Sequence, residues 1–304
     1  CIKRIGLELD VLPAFLYLRY QKAFPQVEIV DVAAAIRELR MCKSPYEIEI
    51  LRKGAEISRQ MFEAVPNFLK EGKKEVEFAA ELECFLRSLG HQGAVRMRQF
   101  NQEVFYGHIM SGENLTYATF FDGPTGGAGL SPAYPQGAGW KKIRNGETIL
   151  VDYVTVYHGY CVDCTRLFYL GTNIPELLQK AHHISLTIQE EIIKTARPGI
   201  TCTEIYRHAC QLAEDNGFKN HFMGHGEDKA AFVGHGVGLE LDELPVLADR
   251  QNYPLQEGMV FALEPKMVIP GTGVAGVENT ILVTPNGLEK ITTYPEDIIL
   301  VEPH

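Results

Sequence analysis

Four carboxylates lie inside segments that otherwise have the sequence of buried strands. Asp152 stands in TILVDYVTV and Asp163 in YCVDCTR, and their neighbours are largely apolar. Glu264 in VFALEPKMV and Glu278 in AGVENTILV repeat the pattern later in the chain. A buried carboxylate is costly unless it is paired, protonated or bound to a metal ion. The fold must therefore supply positive charge or a proton at each of these four positions.

One histidine suits a shared site for these carboxylates. His235 lies in GHGVGLE, where flanking glycines let the backbone approach closely. Four gathered carboxylates repel one another, and two divalent ions would cancel their charge. Carboxylates with one imidazole suit Mn, Co, Fe or Zn. The alternative is separate ion pairs, Asp163 with Arg166 and Glu264 with Lys266, although residues 163 and 166 face opposite sides of a strand.

The order of predicted elements is helix, helix, strands, and then the same again. Ser44 followed by Pro45 is typical of a helix start. Strands are predicted at residues 104–110 and 117–121, and later strands are mostly joined as hairpins. This order predicts an α+β class with two similar halves around an antiparallel sheet.

We expect two units along the chain. Residues 42–304 would form the main domain. Residues 1–41 begin at Cys1 in the middle of a pattern, and we interpret them as the C-terminal remnant of another domain and its linker. The glycine- and proline-rich segment 123–139 would be a loop that serves a site or, alternatively, a plain surface connection.

Composition argues against two classes of partner. The formal net charge is -10, from 29 basic and 39 acidic residues, and no run of lysine and arginine forms a stripe. Neither nucleic acid nor an anionic membrane surface is therefore an expected partner. The seven cysteines are odd in number and irregularly spaced, which predicts free thiols in a reducing cytoplasm.

Taken in order, the acidic residues and His235 resemble the metallopeptidase family of methionine aminopeptidase, aminopeptidase P and prolidase. Asp152 and Asp163 lie eleven residues apart, as in prolidases. GHGVGLE around His235 resembles the family's histidine motif, and EP with Glu264 and VEN with Glu278 match its two glutamates. The resemblance implies the family's pita-bread fold.

The resemblance covers about residues 42–300, and residues 1–41 resemble the end of the N-terminal domain in the prolidase and creatinase branch. It implies two divalent metal ions, Mn or Co in the first place and otherwise Zn or Fe, which hold a bridging water or hydroxide that attacks the substrate carbonyl. Glu264 would also take the proton from that water. A homodimer is implied as well. The implied metal ligands are Asp152, Asp163, His235, Glu264 and Glu278.

Three positions depart from the family pattern where its members contact substrate. Asp242 stands seven residues after His235, at the place of a second histidine. Gln136 follows Pro135 where another histidine is expected, and Gly276 replaces the branch's arginine. An ionised Asp242 would repel an oxyanion and attract a cation, whereas Gln136 can still donate a hydrogen bond. The predicted catalytic groups are Glu264, Gln136 and Asp242, and the predicted substrate contacts are Asp242, Glu243, His108 and His225.

Three functions compete on this sequence. The first is a dinuclear metal hydrolase, resembling Xaa-Pro dipeptidases and aminopeptidases, that cleaves a peptide or a related amide bond. The second is a binding or scaffold protein on the same fold whose peptidase activity has been lost. The third is a hydrolase of a non-peptide C–N bond in a cationic small molecule, with Asp242 as the anchor. Four carboxylates crowded together favour metal chemistry over a scaffold.

Overall fold

The segment that precedes the main domain contains two short strands and two helices. A computed structural model describes residues 2–100, 102–104, 106–118 and 123–303 of the chain. The elements of the first segment are β1 (Arg4–Leu7), α1 (Ala14–Ala23), β2 (Glu28–Asp31) and α2 (Ala33–Met41). Strands β1 and β2 pair in parallel. Arg98 of the main domain donates hydrogen bonds to Glu8 and Asp10, which ties this segment to the rest of the molecule.

The first half of the main domain packs two helices on a four-stranded sheet. Its elements are α3 (Pro45–Phe68), α4 (Glu75–Ser88), β3 (Gly107–Ser111), a 3-10 turn (Gly112–Thr116), β4 (Glu147–Tyr157) and β5 (Tyr160–Leu170). Helix α3 begins as the sequence predicts, because Ser44 and Glu47 form a reciprocal capping box and Pro45 occupies the first turn. Its apolar face, including Phe62, packs against Phe168 of β5 in one buried cluster.

The second half repeats the order with a five-stranded sheet. Its elements are α5 (Glu176–Thr195), α6 (Cys202–Asp215), β6 (Gly224–His225), β7 (Asp228–Lys229), β8 (Phe232–Gly236), β9 (Glu243–Ala248), β10 (Val260–Leu263), β11 (Lys266–Ile269), β12 (Gly273–Gly276), β13 (Asn279–Thr284), β14 (Gly287–Lys290) and β15 (Ile299–Val301). The sheet orders are β15-β5-β4-β3 and β14-β13-β10-β8-β9. All neighbours in these two sheets are antiparallel except β15, which runs parallel to β5. The α+β prediction is confirmed.

The two sheets meet at β5 and β13. Thr165 and Glu278 form an isolated antiparallel bridge between them. Thr280 adds two hydrogen bonds to the backbone of Asp163, at 3.0 Å to its N–H and 2.8 Å to its carbonyl. This junction carries one predicted metal ligand from each half of the domain.

Two local predictions differ from the structure. The strand predicted at residues 104–110 is shorter and begins at Gly107, because Val104 pairs only with Val95 in an isolated bridge. Of the strand predicted at residues 117–121, Tyr117 and Ala118 are not in a strand, and residues 119–121 lie outside the described ranges. None of the helices in the described ranges is long and apolar enough to span a membrane.

A buried histidine near the C-terminus of α4 is held in its neutral form. Nε2 of His91 donates to the carbonyl of Val154 at 3.0 Å, and Nδ1 accepts from the N–H of Gly93 at 2.8 Å. The ring stacks on Tyr106 with centroids 4.3 Å apart. Burial, with a smaller contribution from the Arg87 charge, lowers the pKa of His91 to about 4. Protonation of Nδ1 would break its hydrogen bond with Gly93.

We expect His91 to make stability depend on pH. Its pKa in the folded state lies below that of the unfolded chain, so its contribution is present above about pH 6.5 and is lost as the pH falls to about 4. The advantage of the wild type over His91→Asn in free energy of unfolding should shrink by up to about 3 kcal/mol across this window. Urea unfolding at several pH values measures it, and a difference that stays constant would contradict the assignment.

Candidate metal centre and its cavity

The five predicted metal ligands come together although they are spread over more than a hundred residues. Asp152 lies on β4, Asp163 on β5 and His235 on β8. Glu264 directly follows β10, and Glu278 directly precedes β13. All five line one cavity of about 50 Å³. The antiparallel sheets therefore gather the ligands from both halves of the domain into one place, with volume for an ion and water but not for a peptide.

A lysine occupies the middle of three of these carboxylates. Nζ of Lys266 lies 2.9 Å from Oδ2 of Asp152, 2.8 Å from Oε2 of Glu264 and 2.9 Å from Oε2 of Glu278. The Lys266 side chain is 1% exposed. Although burial opposes it, these carboxylates raise the pKa of Lys266 well above its ordinary value. The Glu264–Lys266 pair weighed from the sequence therefore exists, and it extends to two further carboxylates.

Asp163 lies beside this cluster and has a different environment. Burial, followed by the neighbouring Asp152 carboxylate, raises the pKa of Asp163 to about 7. Its Oδ1 atom is buried and has no hydrogen-bond partner among the described residues. Arg166, the ion-pair partner considered from the sequence, points away and donates instead to carbonyls such as that of Tyr294. Asp163 thus offers an unpaired oxygen to the cavity.

His235 is oriented for binding through its Nε2 atom. Its Nδ1 lies 3.1 Å from the carbonyl of Leu241 and 3.2 Å from Oδ1 of Asp242, which favours a proton on Nδ1. Nε2 then faces Asp163 and Glu264, at 3.7 Å and 3.6 Å. Burial lowers the pKa of His235, but these three carboxylates, with Asp242 foremost, outweigh it and raise that pKa to about 9.

One group of three residues fits a metal ion. Ligand atoms of Asp163, His235 and Glu278 lie within 4.8 Å of one another, and all three residues are buried. The unpaired Oδ1 of Asp163 and Nε2 of His235, which faces the cavity, are the kinds of donor that a divalent ion takes. These observations support binding of one divalent ion.

The residues predicted to contact substrate fall into different environments. His108 lines the same cavity, because its backbone pairs with Asp152 across β3 and β4. Burial lowers the pKa of His108. Gln136 is buried at a second cavity, which it shares with His108, and its Nε2 donates to the carbonyl of Glu103 at 2.9 Å. His225 is exposed and stacks on His221, away from the lining of either cavity.

The two acidic residues after His235 have contacts of their own. Asp242 lines the cavity and touches Nδ1 of His235, so in this structure it positions the histidine. Both carboxylate oxygens of Glu243 are engaged, Oε1 by Arg40 and Oε2 by Lys43 at 3.1 Å. Burial lowers the pKa of Lys43, and Glu243 acts against that shift. These ion pairs give Glu243 a structural role that needs no substrate. Its contact with substrate stays a prediction.

The glycine- and proline-rich segment contributes to the cavity. Gly123, Pro124 and Thr125 line it directly. The end of the loop is held by the buried carboxylate of Glu75, whose Oε2 accepts from the N–H of Gly139 at 3.1 Å. Gly129 must be glycine, because a Cβ there would lie 2.2 Å from the carbonyl oxygen of Tyr134. This segment therefore serves the site, which was the first of the two alternatives.

Two features of the centre were missed or undervalued from the sequence. From the sequence, Lys266 is a candidate partner of Glu264, which lies two residues before it. Only the structure shows that its ammonium also reaches Asp152 and Glu278. His108 was one spare histidine among several. The register that sets it opposite Asp152 depends on pairing across 44 residues of chain, which local patterns do not reveal.

The fold and the gathered ligands define a class of protein, and comparison with known families agrees. The model of Metallopeptidase family M24 matches residues 49–285, and that of the Creatinase/Prolidase N-terminal domain matches residues 1–42. The chain belongs to metallopeptidase family M24 and has its pita-bread fold, and enzymes of this family use divalent metal ions.

Particular relatives place the chain in the prolidase branch. It is 31% identical to the Xaa-Pro dipeptidase of Pyrococcus horikoshii over 300 residues, which is 98% of this chain and 75% of that protein. The X-Pro aminopeptidase of Thermotoga maritima superposes with a TM-score of 0.82 at 27% identity, covering 99% of this chain and 76% of that one. The prolidase of Pyrococcus horikoshii gives a TM-score of 0.80 at 30% identity, over 98% and 76%.

Glu243 provides a stability test of its structural role. Glu243→Gln would leave the Lys43 ammonium, whose side chain is 1% exposed, without its carboxylate. Removing one partner of a buried ion pair costs about 3–5 kcal/mol. We expect a loss of this size in the free energy of unfolding, measured by urea denaturation.

A matched Glu→Gln variant at an exposed ion pair provides the control. Glu289 pairs with Arg52 at 2.8 Å, and the side chains are 43% and 45% exposed. Glu289→Gln should cost less than about 1 kcal/mol. Equal effects of the two substitutions would contradict the structural role of Glu243.

Proposed function

We propose that this chain is a metal-dependent hydrolase of the Xaa-Pro peptidase type, which cleaves a peptide bond or a related amide bond. The observation that carries the proposal is the buried group of Asp163, His235 and Glu278, with ligand atoms within 4.8 Å of one another. An ion held there would polarise a carbonyl and lower the pKa of a water. The two-ion centre predicted from the sequence needs a second ion among the carboxylates that Lys266 already joins, and it stays a prediction. Mn or Co remains the proposed metal.

Glu264 is proposed to move the proton. Its Oε2 is engaged by Lys266 at 2.8 Å, which holds the carboxylate in place. Its Oε1 faces Nε2 of His235 at 3.6 Å across the cavity. The side chain therefore has one fixed oxygen and one oxygen turned towards the reacting position. That arrangement suits a general base that accepts a proton from water and returns it to the leaving amine.

His108 is proposed to stabilise the charge that develops on the substrate. Burial lowers its pKa, so the imidazole is neutral and can donate a hydrogen bond without carrying its own charge. Asp242 cannot take this role while it is ionised. His108 lines the cavity with Asp152 and shares the second cavity with Gln136, so it supplies an imidazole where the family's usual two are replaced.

The second cavity is proposed to take the substrate side chain. Its volume is about 400 Å³, and it adjoins the metal cavity through Val104, Gly107 and His108. Much of its lining is apolar, with Ile109 and Leu130 among its residues. An apolar cavity of this size fits a proline ring or another apolar side chain. This supports a peptide substrate over the scaffold alternative.

The cationic small molecule stays the second candidate. Asp242 is one third exposed and also lines a third cavity, of about 350 Å³. That cavity is lined by Arg37 and Arg98 but also by Asp10 and Glu243, so its charges do not decide against a cation. The peptide is favoured by the apolar lining of the second cavity. We also propose a cytoplasmic homodimer, since the six described cysteines are free thiols and the resemblance implies a dimer.

Hydrolysis of a substrate panel tests the function. Xaa-Pro dipeptides, longer peptides and guanidino compounds would be incubated with the protein and Mn or Co. We expect hydrolysis of at least one peptide class, loss of activity in Asp163→Asn, and unchanged activity in Asp249→Asn, an exposed carboxylate paired with Arg207. Saturating ion at about 100 times its Kd should stabilise the wild type by about 2.7 kcal/mol, but not Asp163→Asn. Failure of purified protein to bind any divalent ion would refute the metal-dependent function.

Two histidine substitutions, one in the cavity and one at the surface, test the role of His108. His108→Gln should lower kcat about 100-fold with a smaller change in KM, because the hydrogen bond strengthens as charge develops. His183→Gln is the matched control, since His183 is exposed on α5 and should leave both constants unchanged. Equal kinetics of His108→Gln and wild type on the best peptide would remove His108 from the mechanism.

A further inference from the structure

The Lys266 ammonium satisfies the geometry of a bound cation. It has three N–H donors, and three carboxylate oxygens accept them at 2.8–2.9 Å. Two of those oxygens come from distant parts of the chain, Asp152 on β4 and Glu278 before β13, and the third comes from Glu264, two residues before Lys266. All three N–H donors of Lys266 are therefore engaged inside the centre, and its side chain is 1% exposed.

The lysine and a metal ion cannot occupy this point together. A divalent transition-metal ion lies about 2.0–2.2 Å from its carboxylate oxygens. An ion that used the same oxygens of Asp152, Glu264 and Glu278 would overlap the nitrogen of Lys266. Like charges would also oppose it. One of the two cation positions implied for the family is thus filled by a side chain of this protein.

The neighbouring strand is shaped to accept this lysine. Gly276 is the direct partner of Lys266 across β11 and β12. A Cβ on Gly276 would lie 2.7 Å from Cγ of Lys266. The resemblance places an arginine at position 276, so the positive charge stands on the facing strand in this chain, and glycine leaves the space for its stem.

The remaining ligands still hold one ion. Asp163 is 5% exposed, and its Oδ1 has no partner among the described residues. Lys266 makes no hydrogen bond to Asp163 or His235 within the described ranges. Four carboxylates carry up to four negative charges, which Lys266 and one divalent ion together nearly cancel. A second divalent ion is not needed for charge balance.

We propose that this centre binds a single divalent ion, on Asp163, His235 and Glu278, and that the Lys266 ammonium is its built-in second cation. The proposal shares its ligands with the proposed hydrolase function and rests on that function for its catalytic use. The predicted behaviour concerns ion number, so it can be measured without any substrate.

Manganese stoichiometry and spectroscopy test the proposal. Protein loaded with Mn²⁺ and freed of excess ion would be analysed by mass spectrometry of the metal and by electron paramagnetic resonance. We expect one Mn²⁺ per wild-type chain with the six-line spectrum of an isolated ion. Lys266→Ala should bind two, with the spectrum of an exchange-coupled pair. Lys290→Ala removes a lysine paired with Glu296 outside the centre and should keep one.

The outcomes separate this proposal from the proposed function. Two ions in the wild type, or one ion in folded Lys266→Ala, would overturn the role of Lys266 and leave a metal hydrolase intact. No ion in the wild type would overturn both. Thermal unfolding and circular dichroism establish that each variant folds. If Lys266→Ala does not fold, the wild-type count by itself still supports or overturns the single-ion centre.

Discussion

Mutual repulsion of four closely placed carboxylates, three of them buried and Asp152 partly buried, is the constraint on which the rest of this structure depends. Two come from the β4–β5 hairpin and two from segments next to β10 and β13, and the sheets meet where they converge. Bringing the halves together without cations would be strongly unfavourable. The ammonium of Lys266 pairs with three of these four carboxylates and so supplies part of the positive charge from the chain itself. The centre therefore has a structural role in joining the halves before any ion or substrate binds.

The same arrangement divides the centre into two unlike parts. On one side, the ammonium fixes Asp152 and one oxygen of Glu264 in hydrogen bonds of ordinary length. On the other, Asp163 keeps an oxygen without a hydrogen-bond partner, and Nε2 of His235 faces the cavity between Asp163 and Glu264. A single ion on that side, with Glu264 between the two parts, is compatible with hydrolysis. His108 also lines this cavity.

Several local elements were predictable because short-range physics decides them. The start of α3 follows from the reciprocal bonds of Ser44 and Glu47, which lie three residues apart. The eleven-pair β4–β5 hairpin follows from two apolar runs that flank a turn at His158 and Gly159. The strand predicted at residues 104–110 was displaced, because its pairing with β4 is set by residues more than forty positions away.

The sequence by itself identified the acidic residues with His235, because a carboxylate in an apolar strand is unfavourable unless it is paired, protonated or bound to a metal ion. The order of predicted elements indicated the α+β class, and the resemblance of the motifs identified the family. Only the tertiary structure decided what neutralises them. The position of the Lys266 nitrogen depends on the β11–β12 register and on the missing side chain at Gly276. The tertiary structure also decided that Asp242 contacts His235 and that Glu243 pairs with Arg40 and Lys43. Charge pairing acts through space, and a linear pattern does not contain those distances.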